Sequence, residues 1–350
     1  MDLSSLLEHN RIVASAPCRI DMGGTVDIRS FYYPLRHLAP CTFNIAVALR
    51  TTVALKPFKK GRIKVSSRGF EPVDYAIEDV PFDHPVGFVF AIAAYFGASG
   101  VHVDIHSASP PKSALGGSSV AGVALIAAFD QAMAAKGAKR LARRETAILS
   151  HALEESVAGV PCGLQDQLAA TYGGVNAWYW PGKVNEPPFR RVTVVGKRGH
   201  KRLERNILLA YCGAPHVSKD INGEWVRQFL SGRFRRQWVE VARLTQRFVR
   251  ALTDGDRAAA VTAMQAEMAL RLEMTPQVLD AMGYRLVQAA EAESCGARFT
   301  GAGGGGCVWA LGPGKHIDRL RGIWENILAT HPDAVLLEFE IDGQGLIVEP

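Results

Sequence analysis

Apolar residues recur at helical spacing from about Ser118 to Lys136 and from about Arg144 to Gly159, then over 224–253, 256–272, 278–295 and 316–329. Short strand-like runs lie between or beside these stretches: Thr51 to Lys56, Arg62 to Ser66, Val101 to His106, Arg191 to Val195, Ile207 to Tyr211 and Cys307 to Leu311. Two more, Val335 to Ile341 and Leu346 to Val348, are joined by Asp-Gly-Gln-Gly, a hairpin signal. The first half alternates strands with helices, and a Pro- and Lys/Arg-rich stretch from Pro181 to Arg205 leads into the helix-rich second half. A lobe boundary is therefore expected near residue 203, giving units 1–203 and 204–350. Residues Pro85 to Val103 contain no Asp, Glu, Lys or Arg, but Gly87, Gly97, Ser99, Gly100 and His102 interrupt them. A buried helix ending near Gly97 and a following strand fit better than a membrane span.

Composition narrows the class. With 350 residues and 48% hydrophobic content, the chain can bury sizeable cores, and no repeat or low-complexity tract appears. Six dispersed cysteines without a Cys-x-x-Cys pair argue against a zinc site or a disulfide framework. The first residues lack the basic and apolar regions of a secretory signal, so a cytoplasmic location is expected, with no membrane partner. A net charge of +6 suits anionic ligands, and the arginines of 224–253 alternate with apolar residues as on an amphipathic helix with a solvated basic face. No nucleic-acid partner is expected.

Three segments carry candidate chemistry. In Pro110-Pro-Lys-Ser-Ala-Leu-Gly-Gly-Ser-Ser-Val-Ala121, small residues open a helix, so backbone N–H groups and the helix dipole can cradle phosphate. The same residues also fit a plain helix cap. Thr300-Gly-Ala-Gly-Gly-Gly-Gly-Cys307 has the glycine spacing of a dinucleotide fingerprint, but a strand follows it where that fold needs a helix, so a glycine hairpin is read instead. Glu154 and Glu155 close a helical pattern, and Pro161 and Gly163 turn the chain into a loop carrying Asp166. Two such carboxylates suit metal binding and base or orienting work, and equally a solvated helix end and a turn.

Together with Ser15-Ala-Pro-Cys-Arg-Ile20 and Gly23-Gly-Thr-Val-Asp27, these segments resemble the GHMP kinase superfamily over nearly the whole chain. The resemblance implies a two-domain α+β fold, with a ribosomal protein S5 domain 2-like N-terminal lobe, a ferredoxin-like C-terminal lobe and ATP in the cleft between them. It implies ATP contacts from Pro111, Leu115, Gly116, Gly117, Ser118, Ser119, Gly301, Gly303, Gly304 and Gly305, and Mg²⁺ held by Ser118 and Glu154. Glu154 precedes Asp166 by the twelve positions of galactokinase-like members; Glu155 is the alternative at the spacing of mevalonate kinase-like members. Asp166 becomes the catalytic aspartate and Arg19 its cationic partner, while Ala114 stands where relatives usually carry glycine. Gly24, Thr25, Asp27, Gln165 and Tyr172 would contact the acceptor, a small sugar or sugar phosphate. Gly-Gly-Thr and Gln165-Asp-Gln167 look most like kinases of the anomeric hydroxyl of D-glycero-D-manno-heptose 7-phosphate, with Arg29, Lys112, His216, Ser218 and Lys219 as cations or donors for a distal phosphate. Galactokinase or another monosaccharide 1-kinase, and a non-catalytic sugar and ATP sensor, are the alternatives.

Overall fold

The computed structural model describes residues 1–214 and 221–349, so His216, Ser218 and Lys219 lie outside the described residues. In chain order its strands are β1 (Ile12–Met22), β2 (Cys41–Pro57), β3 (Arg62–Ser67), β4 (Phe70–Ala76), β5 (Val101–Ser107), β6 (Val175–Tyr179), β7 (Arg190–Val195), β8 (Ile207–Tyr211), β9 (Gly296–Phe299), β10 (Cys307–Leu311), β11 (Val335–Leu336) and β12 (Ile347–Val348). The first sheet runs β12-β1-β2-β5-β3-β4. β2 is long enough to pair with β6 through its start and β5 through its end, while β1 lies antiparallel along it. The helix Gly117–Ala134 packs on β1 and β2; it is long and apolar enough to cross a membrane, but two thirds of it is buried, as befits a core helix.

The second sheet runs β11-β8-β10-β9, all antiparallel. Counted within this lobe, that is the 4-1-3-2 order of a ferredoxin-like fold, with the long helices inserted after its first strand. The lobes exchange chain. Val26, Ile28, Phe31 and Leu35 pack into the second core, where Phe31 lies 4.3 Å from Trp238 and 4.7 Å from Phe229 between ring centroids.

Several expected elements change. The helix expected over 224–253 is two, Ile221–Leu230 and Arg235–Asp254, broken where Gly232 and Phe234 take positive φ. The chain around Asp166, expected as a loop, is a helix, Gln165–Tyr172. The C-terminal hairpin does not form: β11 joins the second sheet, while β12 pairs with β1 in the first. The Arg50 guanidinium explains the return, because it bonds Asp342, Ser15 and the Gly345 carbonyl together. Residues from Ile341 onward thus lie on the first lobe, although the sequence boundary assigns them to the second.

Candidate active site

Successive strand residues face opposite ways, so Arg19 and Asp21 leave β1 on one side, where Arg19 meets the Ala114 carbonyl just ahead of the helix Gly117–Ala134 and Asp21 meets the Gly301 N–H. Asp166 enters from the first turn of its helix, which needs no side chain of its own as a cap: Asp27 Oδ2 accepts the Gln165 N–H at 3.0 Å from across the fold. Gly163 is required here, since a Cβ would lie 1.9 Å from Asp27 Oδ2. The result is a fork-to-fork pair. Arg19 Nε and Nη2 each donate to one Asp166 oxygen at 2.8 Å, and Nη1 donates to the Ala114 carbonyl at 2.7 Å. Burial works against the guanidinium charge, but the Asp166 and Asp21 carboxylates outweigh it and hold Arg19 protonated more firmly than usual.

Asp166 sits beneath the phosphate-cradle loop. Gly116, at φ +80°, leaves its open Cβ position 3.1 Å from Asp166 Oδ2 and starts a helix with no side-chain cap, so its first N–H groups remain for a ligand. Ser118 is exposed at this end and Ser119 is buried. Glu154 Oε2 accepts from Ser119 Oγ and Gln167 Nε2, both at 2.7 Å. Burial raises the Glu154 pKa; the Ser119 and Ser118 hydroxyls oppose that shift, and the nearby Asp166 charge adds to it. A half-buried carboxylate beside two hydroxyls and a second carboxylate is a hard-oxygen set, which fits one magnesium completed by phosphate and water. Glu155 instead lies 3.7 Å from Arg29 in an exposed ion pair.

One cleft of about 490 Å³ gathers Arg19, Pro111, Gly116, Gly117, Ser118, Ser119, Glu154, Asp166 and Gly301, with Lys112 and Arg68 also on its walls. Its other end is apolar, lined by Phe70, Val86, Phe88, Val89 and Ile105. Other expected contacts lie elsewhere. Leu115 is fully buried and offers only its carbonyl, to Arg19 N at 3.2 Å. Gly303 packs against Val278, and the Gly304 N–H donates to the Val278 carbonyl, so this part of the glycine hairpin anchors its own lobe.

The expected acceptor residues are also internally engaged. The Gly24 carbonyl accepts from Arg271 Nη2 at 2.8 Å, and Thr25 Oγ1 donates to Asn222 Oδ1 at 3.0 Å. Asp27 is 4% exposed, and burial pushes its pKa up to about 7. Gln165 is buried with Oε1 unpartnered, and Tyr172 packs on Trp178 under the Arg191 guanidinium, a helix length from Asp166. None of these five residues lines the cleft. Two residues were missed from sequence, Gln167 and Asp21. The signal for Asp21 was present, as a charge two positions from Arg19 within an otherwise apolar strand.

The family profile "GHMP kinases N terminal domain" matches residues 84–174, spanning the cradle loop, Glu154 and Asp166. The chain is 25% identical over 335 residues to a mevalonate kinase of Pyrococcus horikoshii, covering 87% of this chain and 89% of that protein. A mevalonate kinase of Thermococcus gammatolerans is likewise 25% identical, covering 97% and 98%. In three dimensions the chain superposes on Lactococcus lactis galactokinase complexed with galactose with a TM-score of 0.76 at 18% identity, covering 99% of both chains. A D-glycero-D-manno-heptose 1-phosphate kinase from Bacteriodes thetaiotaomicron gives 0.72 at 15% identity, covering 97% of this chain and 99% of that one.

Proposed function

We propose that this chain, a member of the GHMP kinase superfamily and an ATP-dependent kinase, phosphorylates the anomeric hydroxyl of a sugar, with D-glycero-D-manno-heptose 7-phosphate as the leading substrate. The observation that carries the phosphotransfer reading is the forked Arg19–Asp166 pair directly beneath Gly116, in one cleft with Ser118 and Glu154. Magnesium bound with the nucleotide would neutralise phosphate charge during transfer, and Ser118 and Glu154 are the residues to hold it. Asp166 accepts or orients the proton of the attacking hydroxyl, and the Arg19 fork holds that carboxylate in place. Because phosphoryl transfer passes a loose transition state, this positioning carries much of the rate. The apolar end of the cleft suits the nucleotide base.

The sugar reading is supported by Gly23-Gly-Thr-Val-Asp27 and Gln165-Asp-Gln167. Of the cations considered for a distal phosphate, Lys112 stands on the cleft wall, while Arg29 faces Glu155. A second reading, mevalonate as acceptor, is favoured by the archaeal relatives that align with most of the chain. The deciding experiment is ATP consumption against free hexoses, heptose 7-phosphate and mevalonate, with the phosphorylated carbon assigned by NMR. The heptose reading expects kcat/KM for heptose 7-phosphate to exceed that for galactose by more than ~10-fold, since polar groups built for a phosphate lose their partner without it. Turnover of mevalonate alone would replace the sugar reading, and nucleotide binding without turnover of any acceptor would favour a sensor.

A further inference from the structure

Six charged side chains interlock where the lobes meet: Arg19, Asp21 and Asp166 from the first, Glu267, Arg271 and Arg298 from the second. Three guanidinium groups and three carboxylates balance. Arg298 Nε donates to Glu267 at 3.1 Å, Glu267 accepts from Arg271 Nε at 2.7 Å, and Arg271 returns to the first lobe through the Gly24 carbonyl. Arg298 Nη1 bonds the Asp21 carbonyl and lies 3.4 Å from Asp21 Oδ2, and Trp309 Nε1 donates to the same carbonyl at 3.0 Å.

Asp21 is the residue on which this network and the cleft converge. It is fully buried, its Oδ1 accepts the Gly301 N–H at 2.7 Å, and the same oxygen lies 3.8 Å from Arg19 Nη1. Gly301 is thereby pressed against the catalytic pair: a Cβ there would stand 3.2 Å from the Ala114 carbonyl and 3.3 Å from Arg19 Nη2. Replacing a buried ionic network by an apolar core of the same volume is often neutral or stabilising, so this one is read as fixing distances rather than as adding stability. Here the fixed distance is the one between the glycine hairpin of one lobe and the Arg19–Asp166 pair of the other.

We propose that Asp21 is a positioning residue for phosphoryl transfer: by accepting the Gly301 N–H beside Arg19, it sets the glycine hairpin of the second lobe in register with the Arg19–Asp166 pair and cradle of the first. The proposal rests on the kinase reading above, so its test has one arm that needs no turnover. In the full chain, amide hydrogen exchange over 300–306 is compared among wild type, Asp21→Ala and Asp21→Asn, whose amide oxygen still accepts from Gly301. The Ala variant should exchange at least ~10-fold faster there while Arg235–Asp254 is unchanged. With an acceptor from the panel above, its kcat should fall ~10-fold or more, while the Kd for MgATP by calorimetry stays within ~3-fold. Asp21→Asn should recover both the protection and most of the turnover. Should the Ala variant fail to fold, Asp21→Ser, too short to reach Gly301, takes its place. Unchanged exchange over 300–306, wild-type turnover below a lowered Tm, or an Asn variant as impaired as Ala would each overturn the proposal. Absence of turnover in the wild type would instead sink the kinase reading, leaving the exchange measurement to decide whether Asp21 holds the hairpin.

Discussion

Arg19 and Asp27, both in the N-terminal motif, are buried ionisable residues, yet they are built differently. Arg19 opens onto the cleft, where it holds its partner Asp166 beneath Gly116; in the proposed reaction this is where the hydroxyl and the phosphate would meet. Asp27 turns inward to cap a helix, while Gly24 and Thr25 beside it tie the first lobe to Arg271 and Asn222 of the second. The donor half is thus preorganised for a ligand, and the acceptor half serves as a joint between lobes. Removing a group from the first should cost rate; removing one from the second should alter stability and its pH dependence.

The hardest test of that division is Asp166→Asn. Turnover should fall by on the order of 10²-fold or more with MgATP affinity nearly retained, because the amide keeps the shape and loses the basicity. Thermal stability should fall with it, since Arg19 loses its forked carboxylate while remaining buried. Near-wild-type kcat would remove Asp166 from the chemistry.

Metal dependence gives the next largest effect. Ser118→Ala and Glu154→Gln should each raise the magnesium concentration for half-maximal rate by roughly 10-fold, a change on the scale of losing one ligand. Glu155→Gln should leave it unchanged, because Glu155 faces Arg29 at the exposed rim. A response of Glu155→Gln alone would mean that the twelve-residue spacing to Asp166 chose the wrong glutamate.

The donor half was legible from sequence for a local reason: glycines, hydroxyls and a helix start lie within eight consecutive residues, Ala114–Ala121, and their geometry follows from the backbone. The pairing of Arg19 with Asp166, 147 positions apart, was reachable only through the family resemblance. What stayed hidden depends on packing between distant segments. Nothing near Asp27 in the chain announces that its partner is the Gln165 N–H, and nothing near Gly303 announces Val278. The C-terminal hairpin failed for the same reason, because the turn residues were real but Arg50 drew Asp342 and Gly345 to the other lobe.

Asp27 offers a smaller and cleaner test of the joint. Burial raises its pKa from 3.8 to about 7, with the Gln165 N–H opposing the shift and the Asp166 and Asp21 charges adding to it. Below pH ~4 the carboxyl is protonated folded or unfolded; between about 4 and 7 only the folded state keeps the proton, so stability falls as pH rises through that window. The loss reaches up to roughly 4 kcal/mol at pH 8. Asp27→Asn still accepts from Gln165 but does not titrate, so denaturant unfolding at pH 4.5 and pH 8 should show its stability relative to wild type rising with pH. A constant difference between the two proteins would mean that Asp27 is solvated and free to meet a substrate.

The smallest effect belongs to the cradle loop itself. Ala114 has φ +60°, in the left-handed region where a Cβ crowds the backbone, at a position where the family resemblance leads one to expect glycine. Ala114→Gly relieves that crowding but frees the unfolded chain, and at such a position the relief outweighs the added freedom. Unfolding should therefore become harder by about 0.5–1 kcal/mol. The Ala114 carbonyl that receives Arg19 Nη1 is backbone and survives the change, so kcat should stay within ~3-fold of wild type. Loss of stability would show that the methyl group packs usefully against the nearby glycine hairpin, where Gly306 leaves its Cβ position only 2.9 Å from it. In that case the loop's departure from glycine is a packing device between the lobes, and the donor half shares the jointed character of the acceptor half.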